Sequence, residues 1–288
     1  MTSPFRLADG SVLALDRAGD GDSSATVVLL HSYAQDRRVW HKVVSVLSSA
    51  VPVSIVSYDH RGHGESSAAC SGTATLEQLA DDLAEVLERA VPHGTIVLVG
   101  HGMGGHVAMT MAARHRLLAE QRLGALMFLS TSVGWVAETL PQPLGRVVQD
   151  LHAILGPRLV GSVHRRIDKA TTIGLRWLLL GDDPEAADVR LVAEMISRHW
   201  PDTVALFRPS LDLGDRDLAL EVAGRLPVVV MVGEKDRLVP VGHAGRLAEA
   251  VRHGHAVRIP GAGHILPLEA PALIVPRIVA EVREALTG

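Results

Sequence analysis

The chain has 288 residues, 47% hydrophobic and 21% charged, enough apolar material for a large core and too much for a disordered segment. A formal charge of −4 gives no basic footprint for nucleic acid, and 3% aromatic residues are too few for a base-stacking platform. The single cysteine, Cys70, excludes an internal disulfide and a multi-cysteine metal site.

No apolar run approaches the roughly 18 residues that cross a bilayer, and residues 1–16 lack the apolar core of a signal peptide. A soluble, cytoplasmic protein is therefore expected, with neither membrane nor nucleic acid as partner. Residues 5–8 and 12–16 predict a hairpin around Asp9-Gly10. A strand over 26–31, a helix over 38–49 and a strand over 53–58 follow. Thr75 to Gln78 has the form of a capping box, opening a helix to about residue 90. Its Leu76, Leu79, Leu83, Val86 and Leu87 recur at helical spacing. A strand over 95–99 runs straight into glycines and a helix, and another strand covers 126–130.

From 133 to 226 the pattern changes to helical stretches at 144–155, 175–180 and 189–199. Alternation resumes with a strand over 228–232, a helix over 242–251, a strand over 256–259 and a last helix over 271–286. This order predicts βαβ units around a mostly parallel sheet. The core is expected over 1–132 and 227–288, with 133–226 a helical lid above the carboxyl edge of the sheet. Leu175, Trp177, Leu178, Met195, Ile196, Trp200 and Phe207 would either favour an apolar substrate or form the lid's own core.

The strongest motif is Val99-Gly100-His101-Gly102-Met103-Gly104-Gly105, placed between a predicted strand and a helix as a nucleophile elbow requires. His31-Ser32-Tyr33 follows one strand and Asp59-His60-Arg61-Gly62-His63-Gly64-Glu65-Ser66 the next. Gly233-Glu234-Lys235-Asp236-Arg237 and Gly261-Ala262-Gly263-His264 follow the last two. In this order the motifs resemble those of the α/β-hydrolase family, lidded branch, over nearly the whole chain outside the lid. The resemblance implies an eight-stranded, mostly parallel sheet flanked by helices. It also implies an Asp236–His264 pair, and an oxyanion hole from the backbone N–H groups of Tyr33 and Met103.

One residue departs from the family pattern. The elbow's centre is Gly102, where the family has serine, so no acyl-enzyme can form at that position. Loss of a serine nucleophile costs on the order of 10⁶ in turnover. His264, oriented by Asp236, could still act as general base on a water in the vacated space or on a substrate proton. Ser32 stands where esterases of the family have glycine; in plant hydroxynitrile lyases of the same fold a hydroxyl at the corresponding place faces the reacting centre. By that resemblance it would orient a water or substrate hydroxyl, or serve as a displaced nucleophile.

The expected function is non-covalent general-base chemistry on a small apolar carbonyl or ester: hydrolysis, a lyase step or cyclisation. Two alternatives remain: a ligand-binding pseudo-hydrolase, and a nucleophile-less engineered form of an ordinary esterase. The histidines show no metal-ligand spacing and the chemistry calls for no cofactor. Oligomeric state is open. Asp59 and Arg61 are expected to hold their turn together, and His101 and His106 to pack beneath the elbow.

Overall fold

A computed structural model describes residues 2–21, 23–132, 169–199, 206–207, 209–211, 225–251 and 254–287. Eight strands form one sheet: β1 (Thr2–Arg6), β2 (Val12–Gly19), β3 (Ala25–Leu30), β4 (Ser54–Tyr58), β5 (Thr95–His101), β6 (Leu123–Leu129), β7 (Val228–Gly233) and β8 (Gly254–Ile259). Their spatial order is β1-β2-β4-β3-β5-β6-β7-β8. The first two pairings, β1 with β2 and β2 with β4, are antiparallel, and every later pairing is parallel. The β-branched runs became the buried centre, as β3 and β7 bury every residue. Strand ends differ from expectation by a few residues; β2 continues to Gly19 because it pairs with both β1 and β4.

Helices cover both faces: α1 (His41–Ala50), α2 (Leu76–Ala90), α3 (Met103–Arg114), α4 (Arg116–Arg122), α5 (Lys169–Leu179), α6 (Ala186–His199), α7 (Val241–Ala250), α8 (Leu266–Glu269) and α9 (Pro271–Thr287). Alternate strand residues feed two cores. Val28, Leu30, Leu98 and Phe128 pack with α2, α3 and α7 residues such as Leu83, Val107 and Leu247. Val27, Leu29, Val99 and Met127 pack on the other face with α1 and α9 residues such as Leu47 and Ile278. Thr75 caps α2, its hydroxyl accepting from Gln78 N–H at 3.1 Å. The helix expected over 38–49 is instead a 3₁₀ turn, Arg37–Trp40, followed by α1. Its start is fixed by the Asp36 carboxylate, which accepts from Arg38 N–H at 3.1 Å.

Of the expected lid, the helical stretch at 144–155 and Trp200 lie outside the described residues, whereas the stretch at 175–180 falls in α5 up to Leu179 and 189–199 falls in α6. Most of the apolar residues placed there are core. Met195 and Phe207 are fully buried, and Leu175, Leu178 and Ile196 pack against the cluster under α1 and α9. Trp177 is exposed, beneath the Arg237 guanidinium.

Candidate active site

The parallel strands deliver their motifs to one edge. Between β5 and α3, Gly102 takes φ 50° and ψ −114°, a left-handed backbone that would strain a side-chain-bearing residue by about 1–3 kcal/mol. Its N–H donates to the Leu129 carbonyl at 2.9 Å, pinning the turn to the end of β6. Two residues on, a Cβ at Gly104 would run into the Leu30 carbonyl, so the start of α3 lies hard against β3. That close approach places the loop after β3 beside the elbow.

Ser32 is the first consequence. The His31 ring accepts from His60 N–H through Nε2 at 2.9 Å and donates through Nδ1 to the Ser32 carbonyl at 2.8 Å. This locks the loop from within. Ser32 Oγ then accepts from the N–H of Met103, at the N-terminus of α3, at 3.3 Å. A Cβ built on Gly102 would overlap Ser32 Oγ outright, lie 3.0 Å from Ser32 Cβ and stand 3.8 Å from Nε2 of His264. The expected water-sized hollow above Gly102 is thus corrected: the Ser32 hydroxyl fills it. The Met103 N–H, expected as an oxyanion donor, is engaged by the same oxygen. Tyr33, the other expected donor, packs its half-buried side chain against the core.

His264 Nδ1 donates to Asp236 Oδ2 at 3.0 Å, and both residues are buried. Asp236 Oδ1 accepts from the N–H groups of Leu238 and Val239 at 2.9 and 2.8 Å. Burial alone would push this carboxyl up. Neighbouring His264, through its electrostatics and its hydrogen bond, and the Val239 N–H outweigh burial and hold Asp236 below the ordinary 3.8. The pair therefore orients one imidazole nitrogen inward and leaves Nε2 facing the elbow.

Three further residues hold His264: His101, Glu269 and Leu179. The His101 ring donates through Nε2 to the His264 carbonyl at 2.9 Å and meets the Gln35 amide through Nδ1 at 3.1 Å. Burial, reinforced by the His264 charge, pushes His101 down to about 3, so it is a neutral strut. Glu269 accepts from Gly263 N–H at 3.0 Å and Gly181 N–H at 2.6 Å through Oε2, and from Ile265 N–H at 3.0 Å through Oε1. Burial raises the Glu269 carboxyl above its ordinary 4.5 despite these donors. Leu179, the last residue of α5, accepts from His264 N–H at 2.8 Å. Arg237, next to Asp236, donates to the carbonyls of Trp177 and Leu180 at 2.6 and 3.3 Å.

Backbone strain gathers at the same edge. Among the described residues the non-glycine positions with positive φ are Ala34, at 56°, and Ser130, at 47°. They lie in the segments that follow β3 and β6. Asp59 accepts from the N–H groups of Arg37 and Glu65 at 2.7 and 2.8 Å and from the Arg37 guanidinium. Arg61 forms a bidentate pair with Asp82 at 2.8 and 2.7 Å. Both residues brace the turn. His106 is half-buried on α3, and exposed Cys70 meets the hydroxyl of Thr73. Among the described residues no group of His, Cys, Asp and Glu could hold a metal, and no helix is long and apolar enough to cross a membrane.

A family model described as alpha/beta hydrolase fold matches residues 25–271. The chain is 28% identical over 247 residues to a pimeloyl-(acyl-carrier protein) methyl ester esterase of Yersinia enterocolitica, covering 85% of this chain and 88% of that one. It is 26% identical over 273 residues to the dihydrolipoyllysine-residue acetyltransferase component of an acetoin cleaving system of Pseudomonas putida, covering 92% of this chain. The match spans 65% of the length of that relative. Among solved structures, a thermophilic esterase from Thermogutta terrifontis superposes with a TM-score of 0.77, 24% identity and 100% coverage of both chains, a likeness of fold.

Proposed function

Because the chain belongs to the alpha/beta hydrolase fold family, we propose that it is an esterase-like enzyme whose elbow carries no nucleophile and whose working base is His264. The observation that carries this reading is the buried His264–Asp236 bond of 3.0 Å beside Gly102. In the proposed reaction His264 Nε2 takes a proton from the attacking hydroxyl, water in the simplest route, and returns it to the leaving group. Asp236 stabilises the imidazolium that forms in between. The backbone N–H groups of Tyr33 and Met103 receive the oxyanion, so Met103 exchanges Ser32 Oγ for the substrate oxygen as charge develops.

The substrate class is a small, apolar carbonyl compound or ester, lactones included, bound beneath a helical cap formed by residues 133–226. Lyase and cyclisation steps use the same proton transfers, and none of these steps needs a cofactor. The methyl ester esterase among the relatives supports the ester class.

Hydrolysis of p-nitrophenyl acetate and of a simple γ-lactone tests the reading. Turnover should be present and should fall by about 10³-fold or more in His264→Ala. Turnover that ignores this substitution, or none at all from the unmodified protein, overturns it in favour of a ligand-binding role.

A further inference from the structure

We propose that Ser32 supplies the covalent nucleophile, so that the acyl-enzyme of this site forms on the loop after β3 rather than on the elbow. The inference rests on the general-base reading of His264 and adds to it the identity of the attacking hydroxyl. Ser32 Oγ crowds the point where a Cβ at residue 102 would sit, and Nε2 of His264 lies 3.8 Å from that same point. The hydroxyl and the base therefore flank one place although their residues come from opposite ends of the chain. A serine at 102 and the hydroxyl at 32 are sterically exclusive in this arrangement.

Two features suit the oxygen to attack. Ser32 is buried at 4% exposure, and the His31 and His60 bonds fix the backbone that carries it. Its oxygen accepts the Met103 N–H at the amino end of the 12-residue α3, where the helix field favours negative charge. As an acceptor there, the oxygen keeps its own hydrogen to give to His264.

The step balances with an ester or lactone as the only partner. Ser32 O–H loses its proton to His264 Nε2 while Oγ bonds the carbonyl carbon. The tetrahedral intermediate then expels the alkoxide, which takes the proton from His264. Water, deprotonated by the same nitrogen, attacks the acyl-Ser32 ester, and Oγ leaves and is reprotonated.

The full chain is treated with a fluorophosphonate and, separately, with p-nitrophenyl acetate, and its peptides are weighed. The expected adduct lies on the peptide containing Ser32. It disappears in Ser32→Ala and in His264→Ala, and Ser32→Ala loses turnover by more than about 10³-fold. Thermal melting of Ser32→Ala, with circular dichroism, shows whether that variant folds; labelling of the unmodified protein is independent of it. An adduct elsewhere or none at all overturns the proposal. So does a folded Ser32→Ala that keeps turnover while His264→Ala loses it, a result that leaves water as the attacking group and the general-base reading intact. Turnover indifferent to both substitutions removes both readings.

Discussion

The molecule buries two groups of histidines within the same half of the fold, and they are built to different ends. His264 and His101 are in ring contact at 5.0 Å between centroids, and each has a partner assigned to its ring. His31, His60 and His63 form a second cluster of tilted rings, with centroids 4.4 Å apart for His31–His60 and 5.2 Å for His31–His63. Among the described residues no carboxylate bonds to these three rings; their partners are backbone groups. His60 Nδ1 and His63 Nε2 have no partner among the described residues. Burial lowers the affinity of all three for protons. Burial without a carboxylate partner keeps a histidine neutral and structural, and burial beside an aspartate is the setting the proposed base requires.

That contrast can be broken at its strongest point by Asp236→Asn, which leaves the ring in place but removes the acceptor that sets its tautomer. Turnover of the preferred ester should drop by about 10⁴-fold, while His63→Phe, whose ring bonds the Arg61 carbonyl, leaves it within a few-fold. Steady-state kinetics on folded variants decides this, and equal losses in both groups would erase the distinction.

A smaller effect is expected from Glu269→Gln. One carboxylate oxygen becomes an amide nitrogen facing backbone donors, so at least one of the three bonds that grip the His264 loop is lost. A misplacement of the imidazole by about 1 Å should cost about 10²-fold in kcat, with KM little changed. A change confined to KM would instead make Glu269 a mere support of the segment after α5.

The smallest change is expected from the second cluster. Above pH 6.5 both the folded and the unfolded forms of these histidines are neutral, so they add no pH dependence. Below it the unfolded chain takes up protons that the buried rings refuse. Stability then falls by up to about 1.4 kcal/mol per pH unit for each buried histidine that stays neutral; His101, outside this group, behaves alike until its folded value of about 3. His63→Phe, beside Phe207 at 5.2 Å, should alter stability by about 1 kcal/mol or less at pH 8. It should flatten the decline below pH 6.5 by His63's share. Urea titrations at several pH values measure both.

The sheet was legible because long β-branched runs such as Val228–Val232 can be buried on both faces only as central strands. Positions 102, 236 and 264 were equally legible, since each follows a strand by a few residues. What the chain does not spell out is contact between distant backbones. Ser32 and Gly102 meet only because Gly104 lets α3 approach β3, so the hydroxyl filling the gap was foreseen as a facing group but not as its occupant. Glu269 was invisible because its three partners are peptide N–H groups, identical at every residue. His101 reads as packing, and its ring in fact holds the His264 carbonyl. The short α8 escaped notice because four residues, Leu266–Glu269, show no period.

The Glu269 carboxylate grips Gly181 with the same oxygen that grips Gly263, and Leu179 receives the His264 N–H. The end of α5 and the turn that carries His264 are therefore one unit. On the proposed reading, a cap transplanted from a relative to change substrate preference would have to import the 179–181 splice with matching peptide groups. Otherwise the graft would unseat the proposed base along with the old selectivity.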